Sequence, residues 1–326
     1  MTFVGLDLGT TNVKALAVDA QGTIVAQGSS PVTRTTTPGG GVEQDIDQIW
    51  RATCEATRQV TAQISAEEIR SIGISSQGGA LQLLGADNEP QGPVISWLDG
   101  RGHTFDRAFE QRMGEEWLVA HTGHNLSSMA LGQLLRLQKE SPERLDEAGG
   151  VGFVGDVIVG RLCSRRAHDP TSLSIGMLYN PRLGDADPDL LKQLKIDDKK
   201  LPDLIPATEP AGRLLGEVAE QTGLPAGIPV SAAIHDQYAA SVDAGTVAEG
   251  DVLVGTGTAW VLLATMGRLA PPIAERTFVC PHPFDGLYGQ LLSMSNGGSA
   301  VQWLLEVTGQ SALRGEELDD RLASVS

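Results

Sequence analysis

The sequence predicts an α/β protein of two domains, and three observations carry that prediction. Strand-like apolar runs alternate with amphipathic helical stretches along most of the chain. Two distant segments, "VGLDLGTTNVKALAVD" and "DVLVGTGTAWVLLAT", share one plan of apolar strand, Gly/Thr turn and apolar strand, with turns beginning at Gly9 and Gly255. The 326 residues are enough for two domains that each bury a core.

Taken in order, "FVGLDLG", "VKALAVD" and "TIVAQGSSPV" read as an antiparallel meander, with "AQG" as one of its turns. In "DIDQIWRATCEATRQVTAQI" the residues Ile46, Ile49, Trp50, Thr53, Thr57, Val60 and Ile64 fall on one helical stripe, with Asp45 as N-cap and Gln48 three residues on. Ser65 and Glu68 offer a second capping signature, ahead of the buried strand "IRSIGISSQ". "ALQLLGADN" is a strand and turn, "RGHTFDRAFEQRMGEEW" and "GQLLRLQKESPERLDEAG" are helical, and "VGFVGDVIVGRL" joins a short strand to a helix. The Pro-rich "LPDLIPATEPAG" reads as a surface connection. "GIPVSAAI" is a strong strand and "DQYAASVDAG" a helix, for which Asp236 is the natural N-cap.

Composition removes several function classes. A net charge of −17 leaves no basic face for a nucleic-acid backbone, so no nucleic-acid partner is expected. No apolar run approaches the ~20 residues of a membrane span, so no membrane partner is expected either. Cys54, Cys163 and Cys280 fit no metal-ligand spacing. The start "MTFVGLDLGTT" lacks the basic and long apolar regions of a signal peptide, which makes a cytoplasmic location the expectation.

A tight Gly/Thr turn exposes consecutive backbone N–H groups, and its small side chains let a phosphate come close. In "GLDLGTTNVK", Gly9, Thr10 and Thr11 form such a turn, Asp7 could hold magnesium through water, and Lys14 could reach a phosphate oxygen. A plain hairpin with a solvent-facing aspartate is the alternative. The second turn, Gly255, Thr256, Gly257 and Thr258, makes phosphate binding the better reading, since two hairpins across a cleft can grip opposite sides of a triphosphate. Neither turn is a P-loop or a dinucleotide fingerprint.

Together with "GVEQDIDQIW", "ISSQGG", "SWLDGR", "GDVIVGRL", "AHDPTSLSIGMLYN" and "SMSNGGSAVQWL", in order along the chain, these hairpins resemble the FGGY carbohydrate kinases. That resemblance implies two ribonuclease H-like α/β domains of the actin, hexokinase and Hsp70 ATPase superfamily. Residues 1–245 would carry the sugar pocket, first hairpin and base, and residues 246–326 the second hairpin in an incomplete second domain. It implies ATP and Mg2+ as cofactors and a sugar or polyol, such as the ketose xylulose, as small-molecule partner. Asp236 matches the family's catalytic base, and phosphoryl transfer to an alcohol needs such a carboxylate in reach of the hydroxyl. Gln77 and Gln237 suit sugar hydroxyls, because an amide both donates and accepts. Gly78, Asp99, Arg101 and His235 complete the expected acceptor site, although Asp99 and Arg101, two residues apart, also suit a structural ion pair. Trp97 is either an apolar pocket wall or a core residue.

The sequence departs from the family pattern in three places. His235 stands where many members have glycine, and "QGGA" lacks the Met-His pair of many xylulokinases, so that Gly78 and Gly79 are expected to leave room for a larger acceptor. The glycine-rich adenosine segment is not found, and a C-terminally truncated chain is the expectation. The alternatives are a clamp or scaffold ATPase of the same superfamily and a sugar-binding piece without turnover. A homodimer is also among the expected partners.

Overall fold

The computed structural model describes residues 1–256, 259–294, 296–313 and 315–323. It opens on the expected meander, β1 (Thr2–Leu8), β2 (Asn12–Asp19) and β3 (Ile24–Pro31). Because strand side chains alternate, Val4, Leu6 and Leu8 fall on one face with Val13, Ala15 and Ala17, and all six are buried. A short hairpin, β4 (Thr35–Thr37) and β5 (Gly41–Gln44), leads to α1 (Ile46–Thr61), which covers that face with Ile46, Ile49 and Val60. Asp45 caps α1 through the Asp47 N–H, but Gln48 does not close a capping box: its Oε1 accepts from both N and Oγ1 of Thr33, at 2.9 and 2.8 Å. The signature at Ser65 likewise yields only one 3-10 turn, Ala66–Glu68, without a side-chain cap.

β6 (Ile69–Ser76) pairs in parallel with β1. β7 (Leu81–Leu84), β8 (Val94–Ile95) and, further on, β9 (Gly150–Phe153) extend the β4–β5 hairpin into a small sheet of order β4-β5-β8-β7-β9. Between β8 and β9 run α2 (His103–Met113), α3 (Glu115–Thr122), α4 (Ala130–Glu140) and α5 (Pro142–Glu147). The last two lie in a stretch whose sequence pattern predicts a single helical run. They separate at Ser141 because Pro142 has no N–H to continue α4 and is well placed to start a new helix. β9 runs directly into α6 (Val154–Cys163), where the Asp156 carboxylate accepts from the Phe153 N–H at 2.5 Å.

β10 (Ala167–His168) precedes α7 (Pro170–Ile175), which is capped by Asp169. β11 (Tyr179–Asn180), β12 (Asp185–Ala186) and α8 (Pro188–Leu194) follow. The Pro-rich stretch is more than a connection: it supplies β13 (Asp203–Leu204) and β14 (Pro210–Arg213), at the sheet margin where proline is tolerated. α9 (Gly216–Thr222), β15 (Pro229–His235) and α10 (Asp236–Asp243) come next.

The main sheet has the order β13-β10-β15-β6-β1-β2-β3, with β14 paired to β15. Its centre, β15-β6-β1, is parallel, so three strands end together: Ser75 lies beside both Asp7 and Ile234, and Ser76 beside His235. In open α/β sheets such a row of strand ends is where ligands bind. A second, antiparallel sheet of order β16-β17-β19-β18 is formed by β16 (Val252–Thr256), β17 (Trp260–Met266), β18 (Phe278–Pro281) and β19 (Tyr288–Met294), followed by α11 (Gly297–Val307) and α12 (Gly315–Ala323). α10 packs against β15, β6 and β17, and thus lies between the two sheets. Buried Tyr238 and the inner-face residues Val261, Leu263, Phe278 and Leu291 join the same apolar cluster as α4 and α7. His124 adds a polar joint: its Nδ1 accepts from the Val279 N–H at 2.7 Å, which leaves Nε2–H to donate to the Ser174 carbonyl at 2.9 Å. Among the described residues no helix is long and apolar enough to cross a membrane. The three cysteines are free and buried.

Candidate active site

The first hairpin aims Asp7 at the row of strand ends, opposite Lys14 on β2 and Ser75 on β6. Ser75 Oγ donates to its Oδ1 at 3.3 Å. Burial and then the charge of Asp236 push the Asp7 pKa up, while Lys14 and Ser75 pull it back only in part. These two carboxylates, distant in sequence, therefore feel each other across the site. Gly9 begins the turn because a Cβ there would fall 2.8 Å from the Asn12 carbonyl oxygen.

Thr10 is braced on three sides. Its hydroxyl donates to Gln77 Oε1 at 3.0 Å and accepts from Trp97 Nε1 at 2.9 Å, while its carbonyl accepts from Gln44 Nε2 at 3.1 Å. Gln77 Nε2 in turn donates to Gln44 Oε1 at 3.2 Å. Both ends of the buried Gln77 amide are thus engaged in holding the hairpin, and Trp97 shares that task through its indole N–H. Thr11 and Lys14 are exposed beside the turn.

Asp99 and Arg101 form the ion pair that their spacing allowed. Asp99 is buried and accepts from the N–H of Val42 at 3.0 Å, the N–H of Arg101 at 2.9 Å and Nε2 of Gln133 at 3.2 Å. Arg101 Nε lies 3.0 Å from both Asp99 oxygens, and its Nη2 reaches Glu43 at 2.7 Å. Burial works against the Asp99 charge, but the hydrogen bonds from Arg101 and Val42 outweigh it and hold the carboxyl below its ordinary value. The pair ties the loop after β8 to β5 and to α4.

The third group is centred on the join of β15 and α10. Asp236 is the first residue of α10 and not its N-cap; that place is taken by His235, with no side-chain capping bond. The reason is the strand: His235 still pairs with Ser76, so the helix can begin only at the next residue. The Asp236 side chain is 36% exposed, and its Oδ1 lies 3.3 Å from Nε2 of His235. His235 is 6% exposed, and burial lowers its pKa against the opposing pull of Asp236.

The expected room at Gly78 is not open. A Cβ there would fall 2.5 Å from His235 Nε2 and 2.6 Å from Cγ2 of Ile175, so the imidazole already fills the space that the glycine vacates. Gly79, at φ +71°, is met in the same way by Met129, whose Cβ would lie 2.9 Å from the added carbon. Met129 has φ 55° and ψ −126°, an uncommon backbone conformation for a non-glycine residue. Sequence reasoning missed it, because nothing in "SSMALG" marks it.

Gln237 faces the second hairpin: its Oε1 lies 3.5 Å from where a Cβ on Gly255 would sit. Thr256 pairs with Trp260 across that hairpin, while Gly257 and Thr258 lie outside the described residues. Hence α10 connects the two hairpins, the charge of its first residue acting on Asp7 and its second residue lying against Gly255. Among the described residues no three His, Cys, Asp or Glu side chains gather as a metal cage. A half-buried carboxylate facing a second one suits magnesium, which takes one or two protein oxygens and completes its shell with phosphate and water.

A family profile described as the FGGY family of carbohydrate kinases, N-terminal domain, matches residues 2–242. The chain is 27% identical over 311 residues to a xylulose kinase of Escherichia coli (strain K12), covering 95% of this chain and 63% of that protein. It is 31% identical over 248 residues to a probable L-xylulose kinase of Pasteurella multocida (strain Pm70), covering 74% of this chain and 51% of that protein. The fold superposes on a xylulose kinase from Rhodospirillum rubrum with a TM-score of 0.90 at 25% identity, covering 99% of this chain and 66% of that one. The expected actin, hexokinase and Hsp70 ATPase-like architecture is therefore present, in a chain that spans about half to two thirds of the length of these relatives. The chain belongs to the FGGY family of carbohydrate kinases.

Proposed function

We propose that this chain carries the acceptor site and base of an ATP-dependent kinase that phosphorylates a sugar or polyol hydroxyl. One observation carries the reading: two carboxylates stand near the ends of β1 and β15, half-buried Asp7, pushed up by burial and then by the charge of Asp236, and Asp236 itself, accessible at the start of α10. Oδ1 of Asp236 is turned to His235, so Oδ2 is the oxygen that accepts the acceptor's proton as its hydroxyl oxygen attacks the terminal phosphorus of ATP. Asp7 would hold magnesium, which when bound with the nucleotide neutralises charge on the phosphoryl oxygens.

Because the Thr10 hydroxyl is taken by Gln77, the first hairpin would grip phosphate through its backbone N–H groups, Thr11 and Lys14. Residues 255–258 would supply the second grip, and Gln237 would link it to the acceptor. In this reading residues 1–245 form the domain with the acceptor site and base, and residues 246–326 belong to the second domain. The likeness to relatives named as xylulose and L-xylulose kinases supports trying ketopentoses first among the acceptors.

The test is acceptor-dependent ADP release from Mg2+-ATP over a panel of ketoses, aldoses and polyols. Turnover that requires one of these acceptors and is lost in Asp236→Ala is expected. ADP release indifferent to every acceptor, or unaffected by Asp236→Ala, overturns the reading. Calorimetric binding of an acceptor without ADP release points instead to a sugar-binding chain without turnover.

A further inference from the structure

We propose that His235 is a positioning residue that holds the Asp236 carboxylate through an Nε2–H bond, in a slot that exists only because residue 78 is glycine. The inference rests on the reading of Asp236 as the base. Five neighbours surround His235. Its backbone N–H donates to Thr171 Oγ1 at 3.0 Å, and its ring lies over Gly78 and beside Ile175. Tyr238 meets it edge to face at a centroid distance of 6.0 Å. Its Nε2 stands 3.3 Å from Asp236 Oδ1.

The tautomer follows from what the other ring nitrogen lacks. Among the described residues, the buried Nδ1 of His235 has no hydrogen-bond partner. A hydrogen there would be a buried, unpaired donor, which structures rarely leave, whereas on Nε2 it meets a carboxylate oxygen. The neutral Nε2–H form is therefore the favoured one, and it puts the N–H at the ring atom that stands 3.3 Å from the Asp236 carboxylate.

Such a bond matters at this position. Asp236 is the first residue of its helix, one position past the N-cap, and its side chain is partly exposed, so a neighbour on one of its oxygens limits its side-chain torsions. Engaging Oδ1 directs Oδ2 toward the acceptor and adds no second positive charge beside the base. The glycine at 78 and the histidine at 235 are thus two halves of one arrangement, since any side chain at 78 would drive the ring off Asp236.

Two measurements on the whole chain test this. Long-range 1H–15N correlation of the histidine rings is expected to show His235 as the neutral Nε2–H tautomer, with that preference disturbed by Asp236→Ala and by Gly78→Ala. An Nδ1–H tautomer in the unsubstituted protein overturns the proposal. In acceptor-dependent ADP release, His235→Leu keeps bulk without the donor and is expected to lower kcat about tenfold to a hundredfold, with the nucleotide KM within twofold. His235→Gln, which carries an N–H at similar reach, is expected to recover most of that loss. Unchanged turnover in His235→Leu, or equal losses in two variants that melt like the unsubstituted protein, overturns it. Full turnover in Asp236→Ala would instead overturn the assignment of the base, and the tautomer measurement still decides the pairing when no turnover is found.

Discussion

The two Gly/Thr hairpins are written alike and placed differently. Aligned on Gly9 and Gly255, Leu6 and Leu8 match Val252 and Val254, and Asp7 matches Leu253. On β1 the flanking pair is sealed under α1, at 1% and 0% exposure, and Asp7 is turned toward the strand ends. On β16 the pair faces outward, at 49% and 61%, while Leu253 packs against the cluster beneath the second sheet. A shared strand-turn-strand text specifies the shape of the turn but not which face is buried, nor where the charge sits. The carboxylate chemistry is one-sided: the first hairpin brings Asp7, and the second meets the site through Gly255 and Gln237.

The largest test of that contrast is paired truncation. Leu8→Ala is expected to destabilise the protein by about 2–5 kcal/mol, because it leaves a cavity under α1. Val254→Ala, on the open face, is expected to stay within about 0.5 kcal/mol. Urea unfolding of both variants measures the difference, and equal losses would break the comparison.

Acid probes how the second sheet is fastened. Burial lowers the His124 pKa from 6.5 to about 4, outweighing the Ser174 hydrogen bond, so the neutral ring contributes stability that is whole above pH 6.5 and lost as pH falls toward 4. The loss by pH 4 is expected to approach about 3 kcal/mol. Asp106 and Asp169, both pushed up to about 6 chiefly by burial, act in the opposite sense, gaining stability as pH falls. The His124 contribution is therefore read as the difference in thermal unfolding between the protein and His124→Gln at pH 7, 5.5 and 4. That difference is expected to shrink with falling pH, and a constant one would show that the joint does not titrate.

Exchanging the matched central residues separates chemistry from packing. Asp7→Asn is expected to lower acceptor-dependent ADP release on the order of a hundredfold, as for loss of one group stabilising charge at the transferring phosphoryl. It is also expected to raise stability at neutral pH: a carboxyl whose folded pKa is raised costs the fold when ionised, and that cost fades as pH falls through its folded value. Leu253→Asn should do the reverse to stability, placing an amide against the apolar cluster. Turnover assays with thermal unfolding on both variants check the opposed signs.

What was legible in the sequence was local. Period-two and helical patterns with their turns marked the meander, α1, β6, the β9–α6 join and the β15–α10 join, and the turn residues marked both hairpins. The illegible parts depend on partners far along the chain. Gly78 reads as open space because nothing near it in sequence shows that the His235 ring lies there, and Met129 fills the place beside Gly79 from another loop. Gln77 was assigned to the acceptor from the chemistry of its amide, yet Thr10 and Gln44 engage both of its ends. Asp236 begins its helix instead of capping it, since the strand holds His235 one residue longer than a capping rule assumes.

The smallest expected contrast concerns the turns themselves. A methyl group on Gly9 would fall 2.8 Å from the Asn12 carbonyl oxygen, a backbone atom that can move only with the turn. On Gly255 the nearest neighbour among the described residues is Gln237 Oε1 at 3.5 Å, an ordinary contact with the end of a flexible side chain. Gly9→Ala is therefore expected to cost about 1–3 kcal/mol in urea unfolding, and Gly255→Ala less than about 0.5 kcal/mol. If Gly255→Ala nonetheless raises the acceptor KM while stability is unchanged, the second hairpin acts on the acceptor through Gln237; an unchanged KM confines its part to phosphate.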